Sequence, residues 1–147
     1  MNIYTALLLG VLASNAFARE GPEVIRLVQP QPTEAPGKIE VIEFFSYGCN
    51  HCSDFHPIIS QWAAKLPKDV SFRRVPVSFN RPEWARFSRI YFALEATGDL
   101  AKLDAAVFIA IHEQRVPFKS DEAVIAWVGS KGADAKSIMA VMMLAAG

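Results

Sequence analysis

Hydrophobic positions change their spacing several times along this chain, and each change predicts an element. Ile39-Glu40-Val41-Ile42-Glu43-Phe44-Phe45 is a β-branched and aromatic run interrupted by two acids, and it ends at Ser46-Tyr47-Gly48. This composition predicts a central strand that runs into a tight turn. From Cys49 to about Leu66, the apolar residues Phe55, Ile58, Ile59, Trp62 and Ala63 recur at steps of three and four, the mark of a helix with one buried face. Pro57 is expected to kink this helix, and Leu66-Pro67-Lys68-Asp69 to end it. Val70 to Phe79 then reads as a second strand, carrying Arg73 and Arg74 and interrupted by Pro76. Strand, helix, strand predicts an α/β unit with a right-handed parallel crossover.

Beyond Arg81-Pro82 the spacing becomes helical throughout. Trp84, Phe87, Ile90, Tyr91 and Leu94, then Leu100, Leu103, Val107, Phe108 and Ile111, form two helical stripes broken at Gly98-Asp99. Two further helices are predicted over Asp121 to Val128 and Ala133 to Ala146, with Asp134 as a cap candidate for the latter. Aromatic residues at this spacing are read as core rather than as a ligand box.

The N-terminus has a different character. Ile3 to Ala13 is an apolar run too short to span a bilayer, and Ala16-Phe17-Ala18 is a small-x-small cleavage pattern before Arg19. A secretory signal peptide is expected over residues 1–18, although Met1-Asn2 offers no basic side chain to its start. Gly21 to Lys38 carries Pro22, Pro30, Pro32, Pro36 and Gly37 and predicts an extended lead-in, with a short edge strand at Val24 to Val28.

Composition adds bounds. A chain of 147 residues with 52% apolar side chains is long enough for one domain with a real core. Acidic and basic side chains number 15 each, so no net charge favours nucleic acid as a partner. Export would place the cysteines where thiol pairs oxidise.

The candidate chemistry is Cys49-Asn50-His51-Cys52, which holds both cysteines of the chain at a strand-to-helix junction. In the first turn of a helix, this spacing brings the Cα atoms near the ~5.5 Å that a disulfide prefers. Closing so small a ring constrains the unfolded chain by only about 2 kcal/mol, so structural stapling explains the pair poorly. Thiol exchange explains it better, because a thiolate attacks a disulfide and a helix start favours the anion. On this reading Cys49 is the nucleophile, Cys52 one turn inside is the resolving thiol, and His51 adds partial positive charge or a hydrogen bond. Stabilising the thiolate also stabilises the reduced state, which biases the pair toward donating its disulfide.

Glu43 lies six residues before Cys49 on a strand read as buried, where a lone carboxylate is costly. Two roles remain open for it: a proton relay to Cys52, or an acid at the sheet surface that touches nothing reactive. His56, four residues after Cys52, and His112 in the helical block are read as packed or solvent-facing histidines rather than catalysts.

From Glu43-Phe44-Phe45-Ser46-Tyr47-Gly48 through Cys49-Asn50-His51-Cys52, the sequence resembles the active-site segment of the DsbA family, periplasmic thiol:disulfide oxidoreductases. Val75-Pro76-Val77, the long helical block and Ala110-Ile111-His112-Glu113-Gln114-Arg115 resemble it as well, so the resemblance covers most of residues 39–146. It implies a thioredoxin-like fold with the active site in residues 19–80 and a helical insertion over residues 81–147. It also implies Cys49 as nucleophile, Cys52 as resolving thiol, His51 as the tuning residue and Glu43 as the buried acid near the second sulfur. No cofactor is implied. The implied partners are unfolded exported proteins with cysteines and a DsbB-like membrane oxidant.

Two positions depart from the family pattern. Asn50 stands where proline is commonest. DsbA proteins also return, after the helical insertion, to a strand entered through a cis-proline, then a β-hairpin and a last helix. This sequence reaches Leu144-Ala145-Ala146-Gly147 before that part, and Pro76 precedes the helical block and is not that proline. A truncated remnant without catalytic activity, an isomerase or a reductase are therefore the alternative readings. A metal site at Cys49, Cys52, His51 or His56 has only half the usual ligand set. Haem attachment fails because Ser53 stands where that motif requires histidine.

Overall fold

The computed structural model of the chain describes residues 28, 29 and 31–144. The expected signal peptide, the expected strand at Val24 to Val28 except for its last residue, and the end of the last expected helix lie outside these residues. Val28 itself sits in a fully exposed bend.

Strand β1 (Ile39–Phe45) and strand β2 (Val70–Pro76) pair in parallel, as the crossover pattern predicts, with Ile39 opposite Val70 and Phe45 opposite Pro76. Val77 N–H donates to Phe45 O at 2.7 Å, one step past the position where proline removes a ladder donor. Among the described residues the sheet has these two strands, so the far edge of β1 is unpaired there. Helix α1 (Asn50–Ala63) joins them and runs through Pro57.

Four helices follow: α2 (Pro82–Thr97), α3 (Leu100–His112), α4 (Asp121–Ser130) and α5 (Ala135–Leu144). Their ends follow local chemistry. Pro82 occupies the first turn of α2, where its missing N–H costs nothing, and Gly98 ends that helix at φ 78°, a left-handed angle that suits glycine. Ser120 caps α4 by accepting Ala123 N–H at 3.3 Å, and Asp134 caps α5 by accepting Lys136 N–H at 3.0 Å.

The core sits mainly in this helical block. Phe87, Ile90, Leu94, Leu103, Val107, Phe108, Val124, Val128, Ile138 and Met142 are buried together, joined by Phe45 and Tyr47 from the end of β1 and the turn after it. The aromatic side chains of the stripes Phe87, Tyr91 and Phe108 are buried, and Trp84 is half-buried against the core.

Helix α1 departs from expectation. Phe55, Ile58 and Trp62 are 45%, 61% and 41% exposed, whereas His56 is its buried residue. The helix turns His56 toward Asp104 and Phe108 of α3, and among the described residues its apolar face meets little beyond the Trp62–Phe72 edge contact at 5.6 Å. Periodicity identifies an apolar face without identifying what covers it.

Candidate functional site

The turn that delivers Cys49 is fixed from three sides. Cys49 N–H donates to Ser46 O at 3.0 Å, and the buried Ser46 hydroxyl accepts Gly48 N–H at 3.2 Å. Tyr47 drops its ring into the core against Phe108 and Phe45, with centroids at 4.8 and 5.3 Å, and its hydroxyl donates to Asp104 at 2.6 Å. His112 Nε2 donates to Tyr47 O at 2.7 Å while its ring stacks on Phe108, so it serves the turn from the end of α3. This fits its reading as a packed histidine.

Gly48 carries a steric requirement. A Cβ there would lie 2.9 Å from Cδ1 and Cε2 of the Trp84 indole, and closer still to Nε1. Gly48→Ala is expected to lower stability by about 1–3 kcal/mol, the usual cost of overpacking. Urea denaturation checks this, and an unchanged midpoint would show that the indole swings away freely.

Cys49 forms the cap of α1. Its Sγ accepts Cys52 N–H at 3.4 Å, the hydrogen bond that a side-chain oxygen makes at an ordinary N-cap. Charged acceptors make stronger hydrogen bonds of this kind than neutral ones. Both cysteines are free thiols of intermediate exposure. Burial pushes the Cys52 thiol up to about 11, helped by its hydrogen bond with Cys49 and by the charge of Glu43.

Asn50 and His51 lie exposed in the first turn of α1. His51 lines the same surface hollow as Glu43, Phe44, Cys52 and Phe55, while Asn50 faces a polar hollow with Ser53, Asp54, His112 and Arg115.

Glu43 is paired and only partly exposed. It stands opposite Arg74 in the ladder, and Arg74 Nε donates to its carboxylate at 2.7 Å. Arg74 Nη1 reaches Asp104 at 2.5 Å, and the guanidinium lies 3.8 Å over the Phe45 ring. These three side chains are only 12%, 10% and 15% exposed. His56 Nε2 approaches Asp104 at 3.5 Å, and burial holds its imidazole below the usual histidine range, against the opposing pull of Asp104. Burial and then the Asp104 charge hold the Tyr47 phenol well above its ordinary range.

Sequence reading missed Arg74, Asp104 and Tyr47. Aligning Ile39 with Val70 would have placed Glu43 against Arg74, but nothing local marks Asp104, 30 residues farther on.

On the other side of the cysteines lies a cavity of about 250 Å³, bounded by Phe44, Phe79, Arg81 and Trp84 as well as Cys49 and Cys52. Phe79 holds a left-handed backbone at φ 47°, packs edge-on to Trp84 at 5.9 Å and is 71% exposed. The Arg81 guanidinium covers the Trp84 ring at 4.6 Å. Among the described residues, no three or more His, Cys, Asp or Glu side chains group as metal ligands would.

No protein-family model matches the chain. It is 39% identical over 128 residues to the thiol:disulfide interchange protein DsbA of Burkholderia cepacia, a match covering 86% of this chain and 60% of that protein. The DsbA protein of Azotobacter vinelandii is 40% identical over 121 residues, covering 82% of this chain and 56% of the relative. The crystal structure of Pseudomonas aeruginosa DsbA superposes with a TM-score of 0.74 at 36% identity, over 80% of this chain and 61% of that one. The chain thus spans about three fifths of the length of such relatives. The fold is thioredoxin-like α/β with a helical insertion. Over the length it shares with these proteins, the chain matches DsbA proteins in both sequence and fold.

Proposed function

We propose that this protein is a periplasmic thiol:disulfide oxidoreductase that donates a disulfide to newly exported proteins through Cys49 and Cys52. The observation that carries the reading is the asymmetry of the pair: Cys49 caps α1 at the edge of an apolar cavity, while Cys52 sits one turn inside with its thiol pushed up to about 11. Cys49 is the sulfur that substrate attacks, and Cys52 is the leaving and resolving sulfur. Glu43 is the acid that serves Cys52, with which it lines one hollow, and His51 tunes the pair from the same rim.

Partner chemistry follows from the rim. Phe44, Phe79 and Trp84 offer an apolar seat beside the nucleophile, which suits an unfolded segment with an exposed apolar side chain near its cysteine. A residue 1–18 signal would deliver the chain to an oxidising compartment, and a DsbB-like membrane oxidant would restore the disulfide.

Equilibration with glutathione buffers tests the direction of transfer. An oxidant requires a potential well above that of structural disulfides; a value below about −300 mV contradicts disulfide donation and leaves a reductase or a structural bond.

A further inference from the structure

Two carboxylates share one guanidinium in this site. Arg74 gives Nε to Glu43 and Nη1 to Asp104, and its buried Nη2 has no hydrogen-bond partner among the described residues. An arginine facing a single carboxylate commonly binds it with two parallel N–H arms. Here Asp104 takes Nη1 on α3 and Glu43 is held through Nε alone, so one positive charge is shared between two carboxylates. Asp104 is itself fixed by the Tyr47 hydroxyl at 2.6 Å and by His56 at 3.5 Å. With His56 neutral, the cluster of Glu43, Arg74 and Asp104 carries one negative charge in surplus.

We propose that Asp104 is a positioning residue for thiol exchange at Cys52: it shares Arg74 with Glu43 and so leaves the Glu43 carboxylate beside Cys52 incompletely neutralised, which disfavours the Cys52 anion. The proposal rests on the exchange function proposed above and adds a residue to it. When a substrate thiolate attacks Cys49 Sγ in the oxidised pair, the Cys49–Cys52 bond breaks and its electron pair leaves on Cys52 Sγ. A proton from water reaches that sulfur by way of Glu43, which is a carboxylate paired with Arg74 before and after the transfer. A second thiolate of the substrate then displaces Cys49, so the substrate dithiol loses two electrons and the enzyme pair gains them. Between these events a Cys52 anion can attack Cys49 again and expel the substrate. Keeping Cys52 as thiol slows that reversal, because the thiol is not the nucleophile.

Charged and titratable groups among the described residues lie at both ends of this path. Cys52 faces Cys49 and His51 of α1, Glu43 of β1, and Arg81 at the start of α2. Asp104 faces Arg74 of β2, His56 of α1 and Tyr47 of the turn, with Tyr91 of α2 beside the same guanidinium at 5.9 Å.

The test titrates Cys52 alone, by thiolate absorbance at 240 nm, in the full chain carrying Cys49→Ser, which removes the coupling between the two thiols. Asp104→Asn is expected to lower the Cys52 midpoint by about half a pH unit, a roughly threefold rise in thiolate at a given pH. Glu43→Gln should lower it too, the double variant should lower it furthest, and Asp104→Glu should restore the parent value. A purely structural role would lower the melting temperature of the Asp104 variants and leave the midpoint in place, which overturns the proposal. If Asp104→Asn does not fold, Asp104→Ser keeps a hydroxyl acceptor for Arg74 and Tyr47 and is read in the same way. Disulfide exchange by the unmutated chain is scored separately. Exchange with an unmoved midpoint overturns the role of Asp104 alone, whereas a moved midpoint without exchange overturns the function and that role together.

Discussion

Replacing Arg74 by alanine is expected to cost about 3–5 kcal/mol of folding stability, because it strands two buried carboxylates at once. Glu43 and Asp104 are 12% and 15% exposed on the side chain, and Arg74 is a charged partner to both. The attraction within the cluster only offsets the desolvation of its members, so the intact cluster is not itself a large stabiliser. Removing its centre leaves the desolvation uncompensated. It also opens space over the Phe45 ring, from which the guanidinium stands 3.8 Å away, and so touches the aromatic cluster of Phe45, Tyr47 and Phe108. Urea denaturation reads the loss directly. Triple replacement of Glu43, Arg74 and Asp104 by Gln, Met and Asn should recover much of it, since no buried charge then lacks a partner. A cost below about 1 kcal/mol for Arg74→Ala would place these groups in water, contrary to the packing described.

The same cluster shows where sequence reasoning reached and where it stopped. β1 was legible to the residue, because a β-branched and aromatic run ends in Ser46-Tyr47-Gly48 and nothing else competes for it. The helical block was legible for the same kind of reason: Pro82, Gly98-Asp99 and Asp134 punctuate periodic stripes, and local chemistry sets those boundaries. The covered face of α1 was not legible. A stripe of Phe55, Ile58 and Trp62 outweighs one histidine on any hydropathy count, yet His56 is the residue turned inward. Its burial depends on Asp104 and Phe108, which come from a helix far along the chain.

The site divides in the same manner. Cys49 and Cys52 declare themselves by spacing and by the turn before them, with His51 between them, whereas Asn50 is marked only by its departure from the family pattern. Glu43 could be named but not given a partner, because the partner depends on strand register. Tyr47 read as a turn residue, although its ring fills the core and its hydroxyl anchors Asp104. Gly48 read as a turn glycine, whereas the constraint on it is the approach of Trp84.

Cys49→Ala is expected to abolish thiol oxidation altogether, while Cys52→Ala should retain the first step and accumulate a mixed disulfide between Cys49 and substrate. The difference follows from the geometry. Cys49 caps α1 at the rim of the cavity, and in the proposed reaction it is the sulfur that a substrate thiol attacks. Cys52 has its backbone N–H on that cap and its sulfur partly buried, and in the proposed reaction it leaves and resolves. Metal binding would need both sulfurs equally and would show no such asymmetry. The most direct measurement is the rate at which the oxidised chain converts a dithiol peptide to its disulfide, with the Cys49→Ala chain run alongside. Thiol exchange at this pair predicts rapid oxidation by the unmutated chain and none above the uncatalysed background for Cys49→Ala; equal rates for the two chains would contradict it.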